Sequence, residues 1–268
     1  MIDLAYTLTF SCPDQPGVQN KITSLLLSFH ANLDDVASYT DHDAGMFYSR
    51  IAMTLDLPQQ KKSHFFEQLN AIGTELNLTW NLTPSQQKTR ALILVSREGH
   101  CLNDLLYRSH YNDFPLNIVA VASNHTRFEK LTNSHDVPFH HLPINSPEEK
   151  PHQEQQLKSL VDDHQIELII LARYMQILSD DLTRTWSGKC INIHHSFLPS
   201  FKGANPYRQA HQRGVKMIGA TAHYVTADLD EGPIIEQDIE HITHKDSPET
   251  MKNKGRGIEV RVLRRAVQ

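Results

Sequence analysis

Residues 91–100 read ALILVSREGH. Five apolar residues stand in a row with no polar alternation. A half-buried strand alternates, so this run describes a strand covered on both faces, as in a parallel sheet packed between helices. Three more short apolar runs follow, at 118–122, 168–172 and 190–193, with polar helical stretches between them. Alternation of strand and helix at this spacing predicts a Rossmann-like, mostly parallel open sheet over residues 90–268. In such sheets ligands sit beyond the carboxyl ends of the strands.

Upstream the rhythm differs. Leu4, Tyr6, Leu8 and Phe10 alternate, and Val18, Ile22, Leu25, Leu26 and Phe29 recur at helical spacing after the turn Cys12-Pro-Asp-Gln-Pro-Gly17. A strand is expected over 33–40, and another carries Phe47, Ser49, Ile51, Met53 and Leu55 on one face. Residues 60–74 read as a helix with Phe65, Leu69 and Ile72 inward, and 76–82 as a closing strand. The order β-α-β-β-α-β is that of a ferredoxin-like plait over residues 1–82. The polar stretch 83–89, which contains Pro84, reads as a linker.

Composition narrows the function classes. The 268 residues carry a net charge of -5, which offers no general attraction to nucleic acid or to an anionic membrane. No apolar run reaches the roughly 18 residues of a membrane span. The start MIDLAYTLTF has neither the basic flank nor the apolar core of a leader. Cys12, Cys101 and Cys190 are odd in number and far apart, which fits free thiols in a reducing cytoplasm.

The run CINIHHSFLPSFKGANPY, residues 190–207, lies at the end of an expected strand. Residues i and i+2 share a strand face, so Asn192 and His194 point one way. His195 points the other way unless the chain bends. The two histidines are therefore poorly placed to chelate one ion, and no metal is expected. An amide that donates to an oxyanion, beside an imidazole that carries a proton, suits addition to a carbonyl. Two polar core residues tying down a loop would read the same. A second candidate, residues 226–233 (TADLDEGP), follows the expected strand 219–225. It is either a solvated acidic turn or a loop with one carboxylate turned inward to orient an imidazole.

Taken together, Asn192-Ile-His-His-Ser-Phe-Leu-Pro199, Gly203-Ala-Asn-Pro-Tyr207 and Leu229-Asp-Glu-Gly-Pro233 closely resemble the formyltetrahydrofolate deformylase family, a branch of the folate-dependent formyltransferases. Residues 96–106, 171–178 and 255–259 agree. The 12–17 turn resembles the opening of an ACT domain. The resemblance implies Asn192, His194 and Asp230 as the catalytic trio. It implies a folate pocket formed by Met175, Gln176, Ile177 and Leu178 with Ala227, Asp228 and Leu229. The implied reaction is hydrolysis of 10-formyltetrahydrofolate to formate and tetrahydrofolate, in one-carbon and purine metabolism, with folate as substrate and no cofactor. A homo-oligomer is implied, with an amino-acid effector at the ACT-like unit and Asp14, Gly17 and Asn32 as contributors by position. Relatives in this family continue past Arg265-Ala-Val267, and such a segment would bear on stability or assembly.

Two alternatives stay open. A formyltransferase acting on a phosphorylated amine needs a phosphate cradle after the first strand of the parallel sheet. Here that loop is Ser96-Arg-Glu-Gly-His100, where Glu98 would repel a phosphate and Arg97 would partly offset it. His195 also replaces the proline usual in those transferases. The other alternative is an amino-acid-sensing ACT protein with a degenerate enzyme domain.

Overall fold

The computed structural model describes residues 5–111, 114–200 and 206–268. Leu4 and the motif residues Gly203, Ala204 and Asn205 lie outside them. The chain divides into two compact units, Met1–Lys88 and Thr89–Gln268.

The first unit runs β1 (Ala5–Pro13), α1 (Val18–Ser28), β2 (Asn32–Asp41), β3 (Met46–Thr54), α2 (Gln59–Leu76) and β4 (Thr79–Pro84). Its sheet has the order β2-β3-β1-β4, with all the pairings antiparallel. This is the ferredoxin-like arrangement. Leu8, Phe10 and Cys12 of β1 and Ile51 and Met53 of β3 point inward at alternate positions. They meet Ile22 and Leu26 of α1 and Phe65 and Leu69 of α2 in one core. Each fully buried Leu, Ile or Phe contributes roughly 1.5–3 kcal/mol. Ile72 is only half-buried, whereas Gly73 and Leu76 of the same helix are buried. The expected linker is shorter than 83–89. Thr83 and Pro84 still pair with Thr7 and Tyr6, and Thr89 already belongs to the next strand.

The second unit runs β5 (Thr89–Val95), α3 (His100–His110), β6 (Leu116–Ser123), α4 (Glu129–Asn133), β7 (Phe139–His141), α5 (Lys150–Asp163), β8 (Leu168–Leu171), α6 (Asp180–Thr185), β9 (Cys190–His194), α7 (Pro206–Arg213), β10 (Met217–Tyr224), β11 (Ile234–His241) and α8 (Pro248–Ala266). Among the described residues its sheet has seven strands, ordered β11-β10-β9-β8-β5-β6-β7. The pairs from β9 across to β7 are parallel, and β10 and β11 add antiparallel. Strand β5 shows why its sequence does not alternate. Ala91, Ile93 and Val95 enter a core with α3, α7 and α8. Leu92 and Leu94 enter another with α5 and α6. From β5 the chain passes to β6 on one side and later returns to β8 on the other. That switch point opens a crevice at the carboxyl ends of β5 and β8.

Candidate active site

A cavity of about 900 Å³ lies at this edge, lined by residues that follow β8, by β9 and by the loop after β10. Within β9, Ile191 and Ile193 belong to the core shared with α8, so Asn192 and His194 face the other side. In β10, Thr221 pairs with His194 and His223 with Asn192. Ala220 and Ala222 face the α8 core, which leaves Thr221 and His223 on the face of Asn192 and His194. The β10–β11 register shifts between Ala222 and His223, at the site itself.

Asp230 reaches these side chains from the loop after β10. The loop closes through Tyr224 N–H donating to Pro233 O at 2.9 Å. It is tight enough that a Cβ on Gly232 would stand 1.8 Å from Tyr224 O. Asp230 itself is left-handed, with φ 59°, a region that Asp tolerates better than most residues. Its Oδ1 lies 3.2 Å from His194 Nδ1 and 3.7 Å from His223 Nε2. Burial raises the Asp230 carboxyl, but the hydrogen bonds and charges of His194 and His223 outweigh it and hold it well below the usual carboxylate range. His194 Nδ1–H thus donates to an ionised carboxylate, and its buried Nε2 has no hydrogen-bond partner among the described residues. His223 Nδ1–H donates to Tyr224 O at 2.9 Å, and its Nε2 lies 3.2 Å from Asn192 Nδ2, between that amide and Asp230. One Asn192 N–H remains for another acceptor.

The structure brings Asn192, His194 and Asp230 together and adds His223, which the sequence reading missed. Its signal was present: Thr221 and His223 are a polar i, i+2 pair in an otherwise apolar strand, as Asn192 and His194 are. Met175, Gln176, Ile177, Leu178, Ala227 and Leu229 all line the cavity. Met175 and Ile177 are exposed in it, while Leu178 is buried in the core with α5 and α6. The Met175 N–H donates to Ser96 Oγ at 3.0 Å, so this amide is already used. Asp228 is exposed and is not among the lining residues. Its backbone carbonyl accepts from Thr226 Oγ1 and Glu231 N–H.

β9 ends at His194 and the chain bends there, and the His195 ring packs beside Tyr207, on the α8 side of the sheet opposite Asn192 and His194. His195 lines the same cavity, with its ring 5.3 Å from that of His194. Burial, aided by the charge of Arg173, pushes His195 down to about 3, so it is neutral near pH 7. Behind it lies a buried cluster on Glu259. His100 Nε2 is 2.7 Å from Glu259 Oε2, Tyr207 OH donates to Oε1 at 2.8 Å, and Arg173 Nε stands 3.4 Å from Oε2. Among the described residues, His100, Cys101 and Glu259 are the one group whose ligand-type atoms lie within 4.8 Å of one another. The guanidinium of Arg173 already stands at that carboxylate.

Glu98 carries a charge in its loop but is not neutralised by Arg97, whose Nε donates to His125. Lys252 and Arg256 of α8 hold it instead, at 2.8 and 3.0 Å.

In the first unit, Gly17 precedes α1 with φ 89°, a turn position that favours glycine. Asn32 Nδ2 donates to Asp34 Oδ1 at 2.7 Å. The strand register sets Asn32 opposite Thr54, whereas Asp14 bonds Gly45 beside the Pro13–Met46 pair. Eight strand steps at ~3.4 Å separate those ends by roughly 27 Å. One copy therefore does not bring Asp14 and Asn32 together.

A family model described as "Formyl transferase" matches residues 89–267. Over 98% of its length the chain is 42% identical to a formyltetrahydrofolate deformylase of Corynebacterium sp. (strain P-1), covering 92% of that relative. A crystal structure of a formyltetrahydrofolate deformylase from Pseudomonas putida KT2440 superposes with TM-score 0.92 at 40% identity, covering 98% of this chain and 93% of the other. A phosphoribosylglycinamide formyltransferase from Anaplasma phagocytophilum matches 65% of this chain and 82% of its own, with TM-score 0.59 and 32% identity.

Proposed function

The chain belongs to the formyl transferase family and, within it, to the formyltetrahydrofolate deformylases, and from that premise we infer how its residues hydrolyse 10-formyltetrahydrofolate to formate and tetrahydrofolate. The observation that carries the residue assignment is the His194–Asp230 pair beside Asn192, at the carboxyl end of β9 in a cavity large enough for a folate.

Asp230 fixes the imidazole of His194 so that Nε2 is the free nitrogen. A water attacks the formyl carbon as the C=O becomes an oxyanion. The free Asn192 N–H donates to that oxygen, joined by the Nε2–H of His194 once Nε2 has taken the proton that the water loses, and one such donor is typically worth ~10²–10³ in turnover. His194 Nε2, with Asp230 bracing its ring, takes the proton from the water and hands it to N10 as the C–N bond breaks. His223 holds the Asn192 amide in place. The residues after β8 and the Ala227–Leu229 stretch form the folate walls, with Met175 and Ile177 offering apolar surface. Asp228 enters through its backbone at most.

The first unit serves assembly or regulation, because every proposed catalytic residue lies after it. The exposed edge strand β2 supports contact with another copy, and an amino acid is the effector class the ACT resemblance implies. Three free, buried cysteines fit a cytoplasmic setting. Among the described residues no helix is long and apolar enough to cross a membrane. The decisive measurement is formate release from 10-formyltetrahydrofolate without any amine acceptor. Release comparable with that in the presence of a phosphorylated amine supports water as acceptor. Formyl transfer outpacing release overturns it.

A further inference from the structure

The cavity has a cationic end. Lys252, Asn253 and Arg256 of α8 line it, with Arg208 of α7. Lys252 and Arg256 are four residues apart and so lie on one helix face. Arg256 is held in line by Asn253, whose Oδ1 accepts from Nη1 at 3.2 Å. Two cations one turn apart at the rim of a ligand cavity make an anion site. The anion in it belongs to the chain: Glu98 Oε1 takes Lys252 Nζ at 2.8 Å and Oε2 takes Arg256 Nη2 at 3.0 Å.

This contact is built rather than casual. The Glu98 side chain is about three-quarters buried, at 27% exposure. Burial would raise its carboxyl, yet the hydrogen bonds and charges of the two cations bring it down to about 2. The loop has little freedom to withdraw it. A Cβ on Gly99 would stand 2.3 Å from the Phe128 ring, so the ring closes over that residue. Ser96 Oγ donates to Asn124 Oδ1 at 2.8 Å, and Arg97 is tied to His125. Glu98 is thus presented to α8 from a braced turn that directly precedes α3.

We propose that Glu98 is a specificity-determining residue, a tethered carboxylate that occupies the Lys252–Arg256 pair and closes the cavity to phosphorylated amine acceptors. A phosphate monoester carries nearly two negative charges. It would have to displace Glu98 from both cations and leave that carboxylate beside it. Without Glu98 the same pair would offer charge-assisted donors to phosphate. The inference rests on the hydrolytic reading and explains why water, which needs no such anchor, is the acceptor.

The test uses the full chain and inorganic phosphate, titrated by calorimetry without folate. Glu98→Ala should bind phosphate at least about tenfold more tightly than the parent protein. Glu98→Gln, which keeps the side chain's length, should show a smaller gain in the same direction and still reports should the alanine variant fail to fold. Adding Lys252→Ala and Arg256→Ala to either variant should abolish the gain, and raised salt should weaken it. Equal affinity in the parent and Glu98→Gln, or a gain that survives loss of both cations, overturns the proposal. Because no turnover is read, failure here is distinguishable from failure of the hydrolase reading, which formate release tests.

Discussion

Asp230 is the residue on which the site turns, and its choice over Asp228 was not a matter of spacing. The two are one residue apart and in an extended chain would share a face. The left-handed turn at Asp230 breaks that equivalence and sends its carboxylate to His194 and His223, while Asp228 stays exposed. Asp230→Asn keeps the size and removes the charge that holds the imidazole. Turnover should fall by ~10²-fold or more with KM little changed, and Asp228→Asn should cost far less. Steady-state formate release decides it, and a larger loss in Asp228→Asn would reverse the assignment. His195 offers a pH test. Unfolded, an imidazole takes a proton below about pH 6.5, whereas folded His195 stays neutral down to about 3. Its folded value is depressed, so the stability it contributes is present above about pH 6.5 and is lost as pH falls toward 3. The urea midpoint of His195→Gln should therefore drop less than that of the parent between about pH 7 and pH 4.5. Parallel slopes would contradict this.

At the scale of elements, α8 joins the buried Glu259 cluster to the cationic end of the cavity. It starts as its sequence suggests, with Ser247 Oγ capping Thr250 N–H and Pro248 at the first position. Gly255 and Gly257 both look like weaknesses in a helix, but they differ. A Cβ on Gly255 would lie 1.9 Å from Tyr207 OH, because that hydroxyl crosses the helix there to reach Glu259. At Gly257 the nearest atom is Arg261 Nη1 at 4.0 Å. Gly257→Ala should stabilise the protein by ~0.5–1 kcal/mol through helix propensity. Gly255→Ala should destabilise it by about 1–3 kcal/mol through overpacking, despite the same gain in propensity. Equilibrium urea unfolding of the pair gives the two signs, and like signs would mean that Tyr207 moves aside freely.

For the whole molecule, the two units hold separate cores, and Asn192, His194, His223 and Asp230 all belong to the second. Residues 89–268 alone should fold, bind folate and release formate. The full chain should differ in assembly, measured by sedimentation, and in its response to added amino acids. A fragment that matches the full chain in both would remove the proposed role of the first unit.

The sequence by itself determined the two rhythms and hence the two folds, because burial on one face or both writes a period directly into the chain. The unbroken apolar run 91–95 and the alternating run 4–10 need no partner to be read. It also determined that Asn192 and His194 share a face, since strand geometry is local. Tertiary structure alone decided which carboxylate meets them, that His195 borders the same cavity, and that His223 completes the set. Asp230 depends on a left-handed turn and His195 on a bend, where the side-chain period is lost, and His223 on the pairing of β10 with β9, which sets it opposite Asn192. Glu98 shows the same limit: its charge was legible in the loop after β5, but its partners, Lys252 and Arg256, lie over 150 residues away on α8. Only the packing of α8 beside that loop brings the charges together.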